Sequence, residues 1–254
     1  MTDFSAFSLA GKRVVVTGAN TGIGQGISVA IAKASGEVIG VGRSAMDETA
    51  ALVKAEAAAF TPVACDLSDH VAAAAMLDRV WESAGPIDGL VNNAGVIRGA
   101  DAVDFSEMDW DDVMDVNLKS VFFLCQAFAK KALGAGRRGK IVNIASVLSF
   151  QGGIRVPSYT ASKHGLLGIT RLLACEWAAK GINVNAVAPG YVVTNNTAAL
   201  RADEERSAAI MSRIPAGRWG EPSDIAGAAV FLLAPASAYM HGAVITVDGG
   251  WLAR

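Results

Sequence analysis

Short β-branched runs alternate along the chain with longer stretches rich in Ala and Leu. Residues 13–17 (RVVVT) predict a first strand, and 23–35 the helix that follows it. Residues 38–41 and 62–65 predict two more strands, with helices over 47–58 and 71–83. Strands at 89–92, 140–144, 183–187 and 244–247 bring the count to seven. Long helices are expected at 110–132 and 158–180, and a shorter one at 223–233. The strand runs are continuously apolar rather than alternating, as in a parallel sheet covered on both faces. Regular β–α alternation then predicts an α/β fold with a doubly wound, seven-stranded parallel sheet. Segment 190–220 breaks the rhythm: it is long and polar, with a helical stretch near 203–213. A long insertion between strand and helix is expected to serve as a substrate-binding lid.

Composition narrows the classes. The 254 residues are 52% hydrophobic and 18% charged, enough for one large core and a single domain over 1–254. A formal net charge of −2 offers no bulk attraction to nucleic acid or to an anionic membrane. No apolar run is long enough to span a bilayer. Residues 1–11 lack the basic and apolar regions of a secretion signal. Cys65, Cys125 and Cys175 are odd in number and widely spaced, which argues against a disulfide framework. They are expected to be buried small hydrophobes in a cytoplasmic protein. His70 and His241 have no spaced partners, so no metal site is expected.

Two constellations carry chemistry. Thr17-Gly18-Ala19-Asn20-Thr21-Gly22-Ile23-Gly24 stands between the first strand and the first helix. Glycines there let the backbone approach a diphosphate, and the helix N-terminus offers free N–H groups. An ordinary glycine-rich turn is the competing reading; the position after the first strand favours a dinucleotide. Farther on, Tyr159 and Lys163 are four residues apart on one helical face, and so can serve one site. Ser146 follows the fifth strand, at the sheet edge where open α/β folds bind ligands. Tyr159 can pass a proton to or from a substrate oxygen. Lowering its ordinary pKa by about three units requires roughly 4 kcal/mol of preference for the phenolate, which nearby cations can supply. A packed aromatic beside a surface lysine is the alternative for this pair.

Taken in order, these motifs resemble the short-chain dehydrogenase/reductase family, whose loop has the same Gly-x-x-x-Gly-x-Gly spacing. The resemblance covers the whole chain and implies a Rossmann fold, a catalytic Asn117, Ser146, Tyr159 and Lys163, and a homotetramer. It implies that Asp66 and Leu67 contact the adenine. It places Asn93, Ala94 and Gly95 beside the dinucleotide with Tyr159 and Lys163, and Pro189, Gly190, Val192 and Thr194 near its carboxamide end. Asp66 could also cap a helix. The cofactor is NAD or NADP. No acid ends the second strand, and Arg43 there could pair with a 2′-phosphate, yet no basic residue lies between Gly18 and Gly22.

The second half, from 149–159 through 213–220 to 247–254, resembles a subgroup acting on sugar acids such as 2-dehydro-3-deoxy-D-gluconate or 2-deoxy-D-gluconate. Gln151, Arg155, Asn195 and Asn196 are candidate contacts for such a substrate, as is Arg201; Trp219 is read as a lid or interface aromatic as against a sugar contact. The alternatives are a reductase of 3-oxoacyl thioesters and a non-catalytic dinucleotide-sensing module.

Overall fold

The computed structural model describes residues 4–254. Seven parallel strands form one sheet: β1 Arg13–Thr17, β2 Glu37–Gly42, β3 Phe60–Ala64, β4 Gly89–Asn92, β5 Gly139–Ile144, β6 Ile182–Pro189 and β7 Val244–Val247. Their spatial order is β3-β2-β1-β4-β5-β6-β7. The principal helices are α1 Gly22–Lys33, α2 Asp47–Ala55, α3 His70–Ala84, α4 Glu107–Met114, α5 Ser120–Gly134 and α6 Pro157–Trp177. Ala198–Ala202 (α7), Glu204–Met211 (α8) and Pro222–Leu233 (α9) follow β6. This is the expected doubly wound Rossmann architecture. Two large apolar clusters flank the sheet. One packs α3, α5 and α6, with Phe128 and Leu124 at its centre; the other packs α1 and α9, with Ile27 and Leu232.

The strand order reverses between β1 and β4, which both pair in parallel at this point. A crevice at the carboxyl ends of such strands is the ligand site of open α/β sheets. Thr17 knits it together: its hydroxyl accepts from the Asn93 and Ala94 amides, both at 3.0 Å.

Three elements differ from expectation. The single helix foreseen over 110–132 is broken by a π turn at Asp115–Lys119, a departure that favours functional positions. The helix foreseen at 47–58 ends at Ala55, because Ala57 adopts a left-handed φ of 58°. β3 is an edge strand with Thr61, Pro62 and Ala64 exposed, not a doubly covered one. Proline is tolerated at an edge, where its missing N–H costs no ladder bond. Cys175 also departs from the expected burial. It is exposed, Cys65 is half-buried and only Cys125 is enclosed. Among the described residues no helix is long and apolar enough to cross a membrane.

Candidate active site

A cleft of about 410 Å³ opens at the strand reversal. One wall is the glycine loop. Gly18 has φ +65°, and a Cβ there would meet the Asn93 amide at 2.9 Å and Ala94 Cα at 3.0 Å. Gly22 has φ +56°, and a Cβ on Gly24 would strike the Gly18 carbonyl oxygen. Gly18 and Gly22 line the cleft, with Asn20, Thr21 and Ile23; Gly24 is buried behind them. Gly24 is therefore a packing glycine that seats the helix against the loop. Asn93 Nδ2 holds this arrangement by donating to the Thr17 carbonyl at 2.9 Å. Asn20 donates to Ser44 Oγ at 2.9 Å, and Thr49 Oγ1 to the Ala19 carbonyl at 2.8 Å. The first turn of α1 has no side-chain cap. Its amides face the loop that a phosphate would occupy. The cradle thus fits a dinucleotide diphosphate.

At one end of the cleft Arg43 and Asp66 form an exposed ion pair at 4.0 Å, with Leu67 beside them. Asp66 does not cap α3; Asp69 does, accepting from Val71 and Ala72. The Asp66 carboxylate instead takes the Ser68 amide and hydroxyl, at 3.0 and 2.9 Å. The Ser68 amide bond, with Arg43 a lesser contributor, holds its pKa below the usual carboxylate range.

Ser146, Tyr159 and Lys163 line the other end of the same cleft. Ser146 ends the stretch after β5, and its Oγ accepts from the Leu148 amide at 3.1 Å. Lys163 is 5% exposed. Its Nζ donates to the Ile144 carbonyl at 2.7 Å and stands 5.6 Å from the centre of the Tyr159 ring. Burial pushes the ammonium down to a pKa of about 8. Burial pushes the Tyr159 phenol up; a hydrogen bond with Ser146 works against this, and the nearby Tyr191 adds to it. The phenol, the ammonium and the serine hydroxyl therefore converge. Asn117 does not line the cleft. It lies buried in the π turn, bonded to Val96, with Ser162 Oγ accepting from it at 3.4 Å. Val116 and Val96 line the cleft in its place.

A family model described as enoyl-(acyl carrier protein) reductase matches residues 18–252. The chain belongs to the short-chain dehydrogenase/reductase family. It is accordingly an oxidoreductase. It is 58% identical to the 2-dehydro-3-deoxy-D-gluconate 5-dehydrogenase of Escherichia coli, over 98% of this chain and 99% of that one. A crystal structure from Agrobacterium tumefaciens with bound NADP, assigned provisionally as a 2-deoxy-D-gluconate 3-dehydrogenase, superposes with TM-score 0.94. That protein is 60% identical, covering 98% of this chain and 99% of its own. A gluconate 5-dehydrogenase from Burkholderia cenocepacia, in complex with NADP and tartrate, superposes with TM-score 0.92 at 35% identity, with 98% of each chain covered.

Within this family framework, Pro189 at the end of β6 lines the cleft with Gly190, Val192 and Thr194 beyond it, as do Ala94 and Gly95 after β4. Asn195 and Asn196 line it too, on the exposed turn before α7. Gln151 and Arg155 lie outside the lining. Arg155 has a left-handed φ of 64° and pairs with Asp101 at 3.1 Å. Its guanidinium is thereby turned to a surface carboxylate. Trp219 is buried edge-on to Tyr191, with ring centres 5.5 Å apart. Sequence reading missed Asn143 and Thr170, which join Asn92 at the end of β4. Asn92 Nδ2 donates to Asn143 Oδ1 at 2.9 Å, and Asn143 Nδ2 to Thr170 Oγ1 at 2.9 Å. This polar chain crosses β4, β5 and α6 beneath the site; asparagines within two apolar strands were its only signal.

Proposed function

We propose that the chain is an NAD(P)-dependent dehydrogenase acting on a keto or hydroxy group of a sugar acid such as 2-dehydro-3-deoxy-D-gluconate or 2-deoxy-D-gluconate. The observation that carries this reading is the convergence of Ser146, Tyr159 and Lys163 in the cleft that begins at the glycine loop. Relatives named for sugar-acid dehydrogenation support the substrate class. A neighbour holding a hydroxy acid together with NADP supports it further.

The cradle from Gly18 to Gly24 would hold the diphosphate. Asp66 and Leu67 would meet the adenine, and Thr194 the carboxamide end. When bound, a nicotinamide dinucleotide supplies or takes up the hydride. Arg43, with no acid at the end of β2, favours NADP. Ser146 orients the substrate oxygen by hydrogen bonding. Tyr159 gives that oxygen its proton in reduction and removes it in oxidation. Lys163, held by the Ile144 carbonyl, places a titrating cation beside the phenol and favours the phenolate. Asn117 fixes the Val96 backbone along the cleft wall and supports the same group of residues. The 190–220 segment is the lid. The protein acts as a homotetramer in the cytoplasm, with the long helices and β7 as the contact faces. No nucleic acid or membrane partner is invoked.

The test is a turnover matrix: both reduced cofactors against uronate-derived keto acids, simple ketones and 3-oxoacyl thioesters, followed by loss of absorbance. Selective turnover of the keto acids is expected. Preference for the 3-oxoacyl thioesters would overturn the substrate assignment. Absence of any turnover would favour a sensing module. Light scattering on the purified protein checks the tetramer.

A further inference from the structure

The sugar-acid reading needs a cation for the substrate carboxylate, and the cations around the cleft are mostly committed. Arg155 is paired with Asp101 at 3.1 Å, and Arg218 with Asp224 through contacts of 2.7 and 3.0 Å. Arg43 is paired with Asp66, and Lys163 Nζ is bound to the Ile144 carbonyl. Arg201 donates to the Thr194 carbonyl at 3.2 Å. Arg206 and Arg213 are exposed and form no ion pair among the described residues.

Resting on that reading, we propose that Arg213, assisted by Arg206, anchors the substrate carboxylate, and that Tyr191 forms the wall between this anchor and the Ser146–Tyr159 pair. Arg213 lies over the Trp251 ring, its Cζ 4.0 Å from the ring centre. An aromatic seat of this kind restrains the guanidinium, and its N–H donors remain available to a carboxylate. The Tyr191 ring is 4.7 Å from Trp251 and 5.5 Å from Trp219. Trp251 and Ile214 pack with Val147, the residue after Ser146, and Tyr191 joins that cluster. Packed side chains thus run from Val147, the residue after Ser146, through Trp251 to the arginine.

The flanks of Tyr191 agree. Gly190 and Val192 line both the main cleft and a second cavity of about 260 Å³, which Tyr191 and Ile214 also line. Arg213 and Arg206 are the charges acting on the Tyr191 phenol, and Tyr191 in turn acts on Tyr159. The C-terminus fixes the lid in register. Ala216 donates to the Gly249 carbonyl at 2.9 Å, and Arg254 to the Ser212 carbonyl at 2.7 Å. The neighbouring Asp248 carboxylate is occupied by the Gly250 and Leu252 amides, both at 2.9 Å, which limits its repulsion of an anion.

The test compares D-gluconate with D-glucitol, which replaces the carboxylate by a neutral hydroxymethyl group. Binding is measured calorimetrically on the full chain with NADP and without it. The wild type is expected to prefer gluconate. R213M keeps an apolar stem on Trp251 and removes the charge. It is expected to lose affinity for gluconate by about ten- to a hundredfold while glucitol binding stays unchanged. R213K is expected to restore part of the loss, and R206Q to show a smaller one. Undiminished gluconate affinity in R213M, equal losses for both ligands, or a wild type that does not distinguish them would overturn the anchor. Because binding is read without turnover, its outcome stays separate from the cofactor matrix: absent sugar-acid turnover with charge-selective binding would sink the proposed reaction and leave the anchor standing.

Discussion

Asn117 is bonded to both backbone groups of one residue. Its Oδ1 accepts from the Val96 amide and its Nδ2 donates to the Val96 carbonyl, each at 2.9 Å. The side chain thereby completes the backbone bonding of a loop that no strand partner reaches. The π turn at Asp115–Lys119 carries Asn117 at its centre. Asn117→Ala would leave two Val96 groups without their partner. The expected cost is about 2 kcal/mol, which lowers the melting temperature by roughly 4–8 °C in a chain of this size. Calorimetry checks it; an unchanged transition would mean that the loop finds other partners.

Tyr159→Phe removes the phenolic proton while keeping the ring against Lys163. Turnover is expected to fall by about 10²–10⁴-fold, the usual worth of a general acid–base. Dinucleotide affinity, read by fluorescence titration, is expected to remain. Full activity in this variant would remove Tyr159 from proton transfer.

Lys163 makes stability depend on pH. Folding lowers its pKa from 10.5 to about 8 because the charge is buried. Between those values the unfolded chain binds more protons at this position, so stability rises with pH across that window. Below about pH 8 the full penalty applies, roughly 3 kcal/mol. Lys140, also pushed down to about 8 by burial, contributes with the same sign, so the comparison is made between wild type and Lys163→Met, both retaining Lys140. Urea midpoints at about pH 7.5 and about pH 9.5 are expected to rise more steeply in the wild type. Parallel slopes would show that Lys163 remains charged throughout.

Arg43→Asp places a negative charge at the end of β2, where Arg43 now faces Asp66 at 4.0 Å. The ratio of NADP to NAD turnover is expected to fall by about ten- to a hundredfold, the scale of a charged hydrogen bond lost. An unaltered ratio would show that this position does not read the 2′ group.

All seven strands were legible in the sequence: the inner ones, covered on both faces, are short, continuous apolar runs, and the edge strands β3 and β7 keep the same β–α alternation. The edge position of β3 was not. Its neighbours are set by strand order, and Pro62 alone hinted at it. Gly18, Gly22 and the Tyr159–Lys163 pair were visible because each is a local pattern tied to one turn or one helical face. Gly24 was also visible, but only the fold shows that it packs against Gly18 rather than lining the cleft.

Local pattern in the chain was enough to settle which segments become strand and helix, where the glycine turn falls, and which residue types could move a proton. Tertiary structure alone decided the partners. It turned Arg155 toward Asp101, gave the α3 cap to Asp69 instead of Asp66, committed Asn117 to Val96, and left Arg213 unpaired on Trp251. The physical reason is range. Backbone preference and hydrophobic period act over a few residues, whereas an ion pair, a buried hydrogen bond or a stacked ring needs a partner that only the completed fold brings within a few ångströms.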